Sequence, residues 1–540
     1  MHRVGRSALI VFEITLLSAL ILATRCANYQ DVFVAGNVYF ADADCYARMT
    51  RAQLVREKPG LLIRHHKFEN FPQGTIPHTT APLDYLIVAL SLFLNSFTAH
   101  PLDLAGAFVS PLLALFGAWF LWWWSRRMKF RYSWVMLILY AISPILVHGT
   151  ELGRPDHQSL LILLVAIAIC AEWSSQTLQP AKAASAWRLT SATAWALAIW
   201  VSAYEPLVLF LIVTATALLM NRHAVFARDR RAGWILFAAI IAIAFTTERR
   251  VPSLAVFQFT GHLRNWGSTI GELAHVSPMN PVWLSWCGFL LFVAPVFIWM
   301  SIRMRRNGAL GPPPLWTGSA VASGRALPIY VLLVATYFLT VWQARWGYFF
   351  VLIFALALPA LLVPVKSSAA VWIAFVLSIF PILRDWDERL WPNEAQLGAR
   401  VERRIESAQI RDLALSLRSP EVHPFLAPWW LSPSIAYWSG QPGVAGSSHE
   451  SLDGIEESAR FFLSENLQEA RAILEKRHVA WVFAYDSDRV AQNSAAILNE
   501  PLPREPLSRV LDRTPSQAPP FLVFSAQTPA CKLYEVALER

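Results

Sequence analysis

The stretch PLDLAGAFVSPLLALFGAWFLWWWSRRMKFRYSWVMLILYAISPILVHGTELGRPDHQS, from Pro101 to Ser159, decides the fold. It holds two apolar runs, one near residues 103 to 124 and one near 132 to 148, joined by the cationic turn RRMKFR (Arg126–Arg131). It closes on the short loop HGTELGRPDHQS, which carries Asp156, His157 and Gln158. An apolar run of about 20 residues covers the roughly 30 Å hydrocarbon core of a bilayer as a helix, and cationic turns stay on the cytoplasmic side. The stretch therefore predicts a helical hairpin in a membrane, with a basic inner turn and an acidic outer one.

The same grammar extends outward in both directions. The chain is 55% apolar and 15% charged, with 24 tryptophans, and its apolar residues come in blocks rather than at amphipathic spacing. About eleven spans are predicted, near residues 7–27, 103–124, 132–148, 159–173, 189–203, 206–220, 233–247, 282–301, 327–343, 346–365 and 368–383. The shortest, between 159 and 203, would need thinning of the bilayer or interfacial residues to cross. Arg3 and Arg6, the RRMKFR turn, RHAVFARDRR (Arg222–Arg231) and RMRRNG (Arg303–Gly308) alternate as a cytoplasmic set requires. The net charge of +9 is thus a topology signal, and nucleic acid is not an expected partner.

An odd number of spans puts residues 384–540 outside. There the composition shifts to a charged helical stretch (LGARVERRIESAQIRDLALSL), a Trp/Pro/Gly-rich loop, a helix near 467–477 and strands at VAWVFAY, FLVFSA and KLYEV. The expectation is a transmembrane domain over 1–383 and a small extracytoplasmic α/β domain over 384–540. The five cysteines form no CxxC framework, although spacing leaves open a bridge between Cys26 and Cys45.

Chemistry-bearing residues gather in the outer loops. The first, of about 75 residues, is far longer than membrane connections need, and such loops tend to be functional. It holds ADADCYARMTR, in which Asp42 and Asp44 repel unless a cation, commonly a divalent metal, lies between them. Solvation with Arg48 and Arg51 as counter-ions is the plainer reading. It also holds His78, in PHTTAPLDY, either a loop-packing residue or a contact for phosphate.

In the second loop Asp156, His157 and Gln158 stand at a helix mouth, where a carboxylate serves as a cap or as a metal ligand. A later loop carries Glu272 in GSTIGELAHVSP, with Arg249, Arg250 and Arg264 placed against the charge rule; an anionic phosphate at the membrane surface would account for them. Arg345 interrupts a long apolar stretch in VWQARWGYFF, and a half-buried guanidinium wants a bidentate partner.

Taken in order, these motifs resemble the catalytic subunit of oligosaccharyltransferases, within the GT-C superfamily of membrane glycosyltransferases. Asp42 lies six residues before Arg48, as the family's first-loop acid does. Asp156, His157 and Gln158 partly match its second acidic motif, Thr269, Ile270, Gly271 and Glu272 match Thr-Ile-x-Glu, and Arg345 with Trp346 matches its late Arg-aromatic pair.

The chain departs from the family at PWWLSPSIAYWSG. Trp429 and Trp430 remain from Trp-Trp-Asp-Tyr-Gly, but Leu431 replaces the acid that holds the acceptor hydroxyl. The family usually has thirteen spans.

The resemblance implies a GT-C-like fold in the membrane, expected to be the bacterial inner membrane. It implies transfer of a glycan from a polyprenyl-diphosphate donor to a protein or glycan acceptor, asparagine included. Asp42 and Glu272 would be catalytic. Asp42, Asp44, Asp156, His157 and Gln158 would hold Mn²⁺ or Mg²⁺. Arg345, His78 and Arg264 would meet the donor diphosphate, and Glu272, Trp429 and Trp430 the acceptor. The alternatives are a transferase using a polyprenyl-monophosphate sugar with a lipid or glycan acceptor, or a transporter or flippase. The last would carry acids at mid-membrane and repeated halves, which this sequence does not show.

Overall fold

The computed structural model describes residues 2–177, 181–250, 261–306, 327–365 and 367–538. The end of the RMRRNG turn, at residues 307 and 308, lies outside them. Each of the eleven predicted spans falls on helix. Among the described residues, five helices are long and apolar enough to cross a bilayer unaided: Ser7–Arg25, Pro101–Arg127, His157–Ser175, Arg228–Glu248 and Ala344–Leu361. The pair Ser368–Ser378 and Phe380–Leu390, bent by 43°, passes the same test of length and apolarity only when taken together. The segments that looked short as apolar runs sit in helices of 21 residues each, His157–Thr177 and Ala181–Val201. Polar residues at their ends continue the backbone hydrogen bonding after the apolar run stops.

Two further predicted spans are broken. One divides at Pro144 into Ser133–Ile142 and Pro144–His148, since proline cannot donate into the preceding turn. The other divides into Val282–Cys287 and Leu290–Arg306 at Gly288, whose φ of +70° is left-handed.

The membrane core is one continuous cluster around Gly347–Leu361, every residue of which is buried. The two ends of the bundle differ in charge. At one end Arg126 pairs with Glu13, Arg188 with Asp229, and Arg230 with Glu172. At the other end Tyr437 of the C-terminal segment bonds Asp103, in the first turn of Pro101–Arg127. The C-terminal domain therefore sits on the face opposite the basic turns.

The apolar helix Pro82–Leu94 lay unseen inside the long first loop. Its 13 residues rise about 20 Å, short of a crossing. It leads through a short connection to Pro101, on the C-terminal-domain face, and it leaves Leu92, Phe93 and Phe97 exposed. A helix that starts and ends on one face with apolar residues outward suits the bilayer interface better than a crossing.

The C-terminal domain is built on a four-stranded sheet. After the small hairpin β1 (Phe33–Val34) and β2 (Asn37–Val38) come β3 (Phe425–Leu426), β4 (Trp481–Tyr485), β5 (Leu522–Gln527) and β6 (Cys531–Val536), in spatial order β3-β4-β6-β5. β3 and β4 run parallel, and the other two pairs antiparallel. β4, β5 and β6 are the strands expected from the sequence; the two-residue β3 carries too little pattern to read.

Composition changes at residue 384, but packing crosses it. One core runs from Tyr39, Cys45 and Met49 of the first loop to Leu413, Phe425, Trp438 and Tyr534. Cys26 and Cys45 are both free thiols.

Candidate functional site

Local folding brings the acids together. Asp42 caps the helix Ala43–Glu57, its Oδ1 accepting the Cys45 N–H at 3.0 Å, which leaves Oδ2 for Arg154 at 2.8 Å. The loop Glu151–Asp156 is pinned to the same place through Gly153, whose carbonyl accepts the Ala41 N–H at 2.9 Å while its N–H donates to Ala107 at 3.0 Å. Only glycine suits that position. Its φ is +75°, and a Cβ would stand 2.7 Å from a Val32 methyl. Asp156 precedes His157–Thr177, and its Oδ1 accepts from both the backbone N–H (2.7 Å) and Nδ1 (2.6 Å) of His157.

Asp44 is open to water yet set among protein on most sides. Dehydration, then the Asp42 and Asp156 carboxylates, push its carboxyl well above the ordinary range, while the Ser447 hydroxyl opposes. Burial pushes Asp156 up too, but His157, Arg48 and Arg154 outweigh it and hold Asp156 well below. Glu272 is raised by burial, with Arg345 opposing and Asp156 adding. Asp42, Asp44, Asp156, Glu272, Arg154 and Arg345 thus share one recess.

Arg48 and Arg51 are not the counter-ions of Asp42 and Asp44. They pair with buried Asp84, at 2.8 and 3.6 Å. Arg250, placed against the charge rule, clamps the first loop by donating to the carbonyls of Pro77 and Thr79 on either side of His78. Arg345 is paired with Glu205, which is fully buried, and its guanidinium lies 5.6 Å from the centre of the Tyr204 ring.

A chain of hydrogen bonds ties the second loop to Glu272. Arg154 Nη2 is 2.9 Å from His148 Nε2, His148 Nδ1 is 2.8 Å from the Tyr348 hydroxyl, and that hydroxyl is 2.9 Å from Glu272 Oε1. Arginine has no acceptor, so His148 Nε2 accepts and Nδ1 carries the proton. Tyr348 receives that proton's bond and donates its own to Glu272.

The acids do not enclose a cation as they stand. Among the described residues they bring no three ligand atoms within 4.8 Å of one another, because Arg154 holds Asp42 and His157 holds Asp156. Their chemistry nevertheless fits a hard divalent ion. Three carboxylates raise one another's charge cost, and Gln158 is 1% exposed with neither amide atom partnered. A buried unpaired amide costs about 1–3 kcal/mol.

The other residues chosen from the sequence lie apart. Arg264 is exposed on the helix Gly261–Ser268. Trp429 donates to Asn493 Oδ1 at 2.9 Å and meets Trp266 edge-on at 5.7 Å, and Trp430 lies 5.1 Å from the Arg489 guanidinium. Their link to the acids runs through Trp266, on the helix leading to Glu272.

Sequence reasoning missed His148, Arg154, Tyr348 and Glu205, and also His449 and Glu450, which meet His78. His148 and Arg154 were visible as uncompensated polar residues in a loop of a dozen, and Glu205 as a lone acid opening an apolar run. Tyr348 and the HES tripeptide carry no such mark.

No protein-family model matches the chain, and no curated protein matches it. Solved structures do. The Archaeoglobus fulgidus oligosaccharyltransferase in complex with Zn and sulfate aligns with a TM-score of 0.64 at 14% identity, over 97% of this chain and 73% of that one. The archaeal oligosaccharyltransferase AglB from the same organism, in complex with an inhibitory peptide and a dolichol-phosphate, aligns at 0.58 and 14%, over 90% and 70%. ArnT from Cupriavidus metallidurans, bound to undecaprenyl phosphate, aligns at 0.58 and 14%, over 98% of both chains. The chain has the fold of these proteins, the GT-C-like membrane architecture with a C-terminal domain that its motifs led one to expect.

Proposed function

We propose that this chain is a membrane glycosyltransferase that moves a glycan from a polyprenyl-diphosphate donor to an acceptor at the extracytoplasmic face. The supporting observation is the convergence of Asp42, Asp44, Asp156, Glu272 and Arg345 in one recess beside the C-terminal domain, on the face opposite the basic turns. Donors with a polyprenyl tail reach such a recess from the bilayer, and the two kinds of neighbour that share the fold are bound to dolichol-phosphate and undecaprenyl phosphate.

In this reading an acceptor O–H or N–H attacks the anomeric carbon, the bond from that carbon to the phosphate oxygen breaks, and the phosphate leaves as an anion. Glu272 takes the proton. Its raised basicity suits that task, and the Tyr348 hydroxyl fixes which oxygen faces the acceptor. Asp42 offers the acceptor a second contact. Arg345, its charge shared with Glu205, faces the leaving phosphate, with His78 and Arg264 further out. Asp42, Asp44, Asp156 and Gln158 would hold Mn²⁺ or Mg²⁺, which would supply positive charge toward that phosphate. Trp429 and Trp430 serve the acceptor through stacking.

Two observations favour a monophosphate donor instead. Arg345 and His78 are both already paired to glutamates, leaving less positive charge for a diphosphate, and the alignment with ArnT spans 98% of each chain. The deciding experiment supplies purified protein with Mn²⁺ and either a polyprenyl-diphosphate glycan or a polyprenyl-monophosphate sugar. Release of polyprenyl diphosphate supports the main reading. Release of monophosphate alone selects the second, and consumption of neither removes both.

A further inference from the structure

His78 sits in the loop before the helix Pro82–Leu94, and His449 and Glu450 in the loop Ser447–Ser451 of the C-terminal domain. They meet at one carboxylate oxygen. Glu450 Oε1 is 2.9 Å from His78 Nδ1 and 3.5 Å from His449 Nε2. The two imidazole rings are 5.2 Å apart between centres. Among the described residues this is the set of three metal-ligating atoms that lies within 4.8 Å of one another.

Two further atoms at this place are buried and unpartnered. Glu450 Oε2 accepts nothing, although its side chain is only 7% exposed. His157 Nε2 is likewise without a partner, and the His157 ring stands edge-on to His78 at 6.0 Å. The other ring nitrogen of His157, Nδ1, is already fixed by Asp156 Oδ1 at 2.6 Å. A carboxylate orienting one imidazole nitrogen while the other points into a site is how proteins prepare a histidine for a metal. The backbone is braced as well, since Arg250 holds the carbonyls on both sides of His78.

We propose that His78, His449 and Glu450 form a second metal site, for a borderline cation such as Zn²⁺, which fastens the C-terminal domain to the first loop. Two imidazoles and one carboxylate are a donor set that zinc takes at a four-coordinate centre, with the fourth position open to water or to His157. The neighbouring acid recess, built from carboxylates and an amide, suits hard ions such as Mg²⁺ or Mn²⁺, so the two sites differ in the ion they select. This assignment stands independently of glycosyl transfer.

The test uses the full chain in detergent, stripped with chelator, in a background carrying Asp42→Asn and Asp44→Asn so that the acid recess is silent. Zn²⁺ is titrated by competition with a chromophoric chelator, and Co²⁺ is added separately to read the ligand field. The background should bind one tight equivalent of Zn²⁺, and Co²⁺ should show the intense visible bands of a four-coordinate site. Adding His449→Gln or Glu450→Gln should weaken Zn²⁺ roughly a hundredfold and abolish those bands. These near-isosteric changes are checked for folding by size exclusion. Absence of a tight equivalent in the background, or its persistence through both substitutions, overturns the site. Because nothing is turned over, failure here is distinct from failure of the glycosyltransferase reading.

Discussion

Glu272 has one oxygen committed to a phenol. Tyr348 donates to it, His148 donates to Tyr348, and Arg154 donates to His148 while also holding Asp42. Three of these bonds run from Arg154 toward Glu272 and the fourth from Arg154 to Asp42, so the two acids named as catalytic are positioned by a single chain. Tyr348→Phe removes the link nearest Glu272. A hydrogen bond to a charged group is worth about 1.5–3 kcal/mol, so kcat should fall roughly ten- to a hundredfold with KM little changed. Losing a donor that holds Glu272 down also raises its basicity, so the acid limb of the pH–rate profile should move to higher pH. An unchanged profile and rate in the Phe variant would remove Tyr348 from this role.

Glu69 offers a separate measurement. It is 5% exposed, and burial raises its carboxyl to about 7, against an ordinary value near 4.5, with Arg51 opposing and Glu450 adding. The folded state therefore holds this proton more tightly than the unfolded chain. Its stability contribution is complete below about pH 4.5 and is lost as pH rises toward 7, by up to about 3 kcal/mol. Glu69→Gln should raise the thermal unfolding temperature at pH 8 and do little at pH 4.5. Under the proposed function, the Leu431 side chain has no oxygen to offer an acceptor hydroxyl. A peptide with Asn-x-Ala should be used no worse than one with Asn-x-Thr, or neither should be used and the acceptor is not a peptide; a preference above roughly tenfold for threonine would show that another residue replaces the acid.

Elements place these residues, and they differ in how legible they were. The long apolar helices, the strands β4 to β6 and the helix Leu467–Lys476 follow from hydropathy and period alone, because each buries a continuous face. Pro82–Leu94 escaped because it is too short to read as a crossing and too apolar for an ordinary loop. Two cysteines check its interfacial placement. Leu86→Cys and Thr98→Cys should both react with an impermeant maleimide from the side that labels Glu421→Cys, and protection or opposite sidedness of Thr98→Cys would make the helix a span.

The acids themselves were readable because charge at a helix mouth beside lipid is costly and needs a cause. Their second partners were not, since nothing in a linear sequence places Arg154 against Asp42 or His449 against His78. Gly153 shows the same limit: its necessity lies in a φ of +75° and a neighbouring valine. Gly153→Ala should destabilise the fold by about 1–3 kcal/mol, read as a lower unfolding temperature, and should loosen the bond that brings Ala41 to the second loop.

In the whole molecule the C-terminal domain packs against the proposed site rather than standing apart as an appendage. Its core is continuous with the first loop, its Ser447 touches Asp44, and its Tyr437 bonds Asp103 at the end of a membrane helix. All acids of the recess lie on that face, with the basic turns opposite, so reporters fused at residues 307 and 388 should lie in different compartments. The central claim is that this recess transfers a glycan from a polyprenyl-linked donor, and loss of labelled donor tests it most directly. Purified wild-type chain with Mn²⁺ should consume the donor and release its polyprenyl phosphate or diphosphate, excess chelator should stop it, and folded Asp42→Asn and Asp156→Asn variants should fall by at least about a hundredfold. Full turnover by both variants, or no consumption of any polyprenyl-linked donor by the wild type, would contradict it.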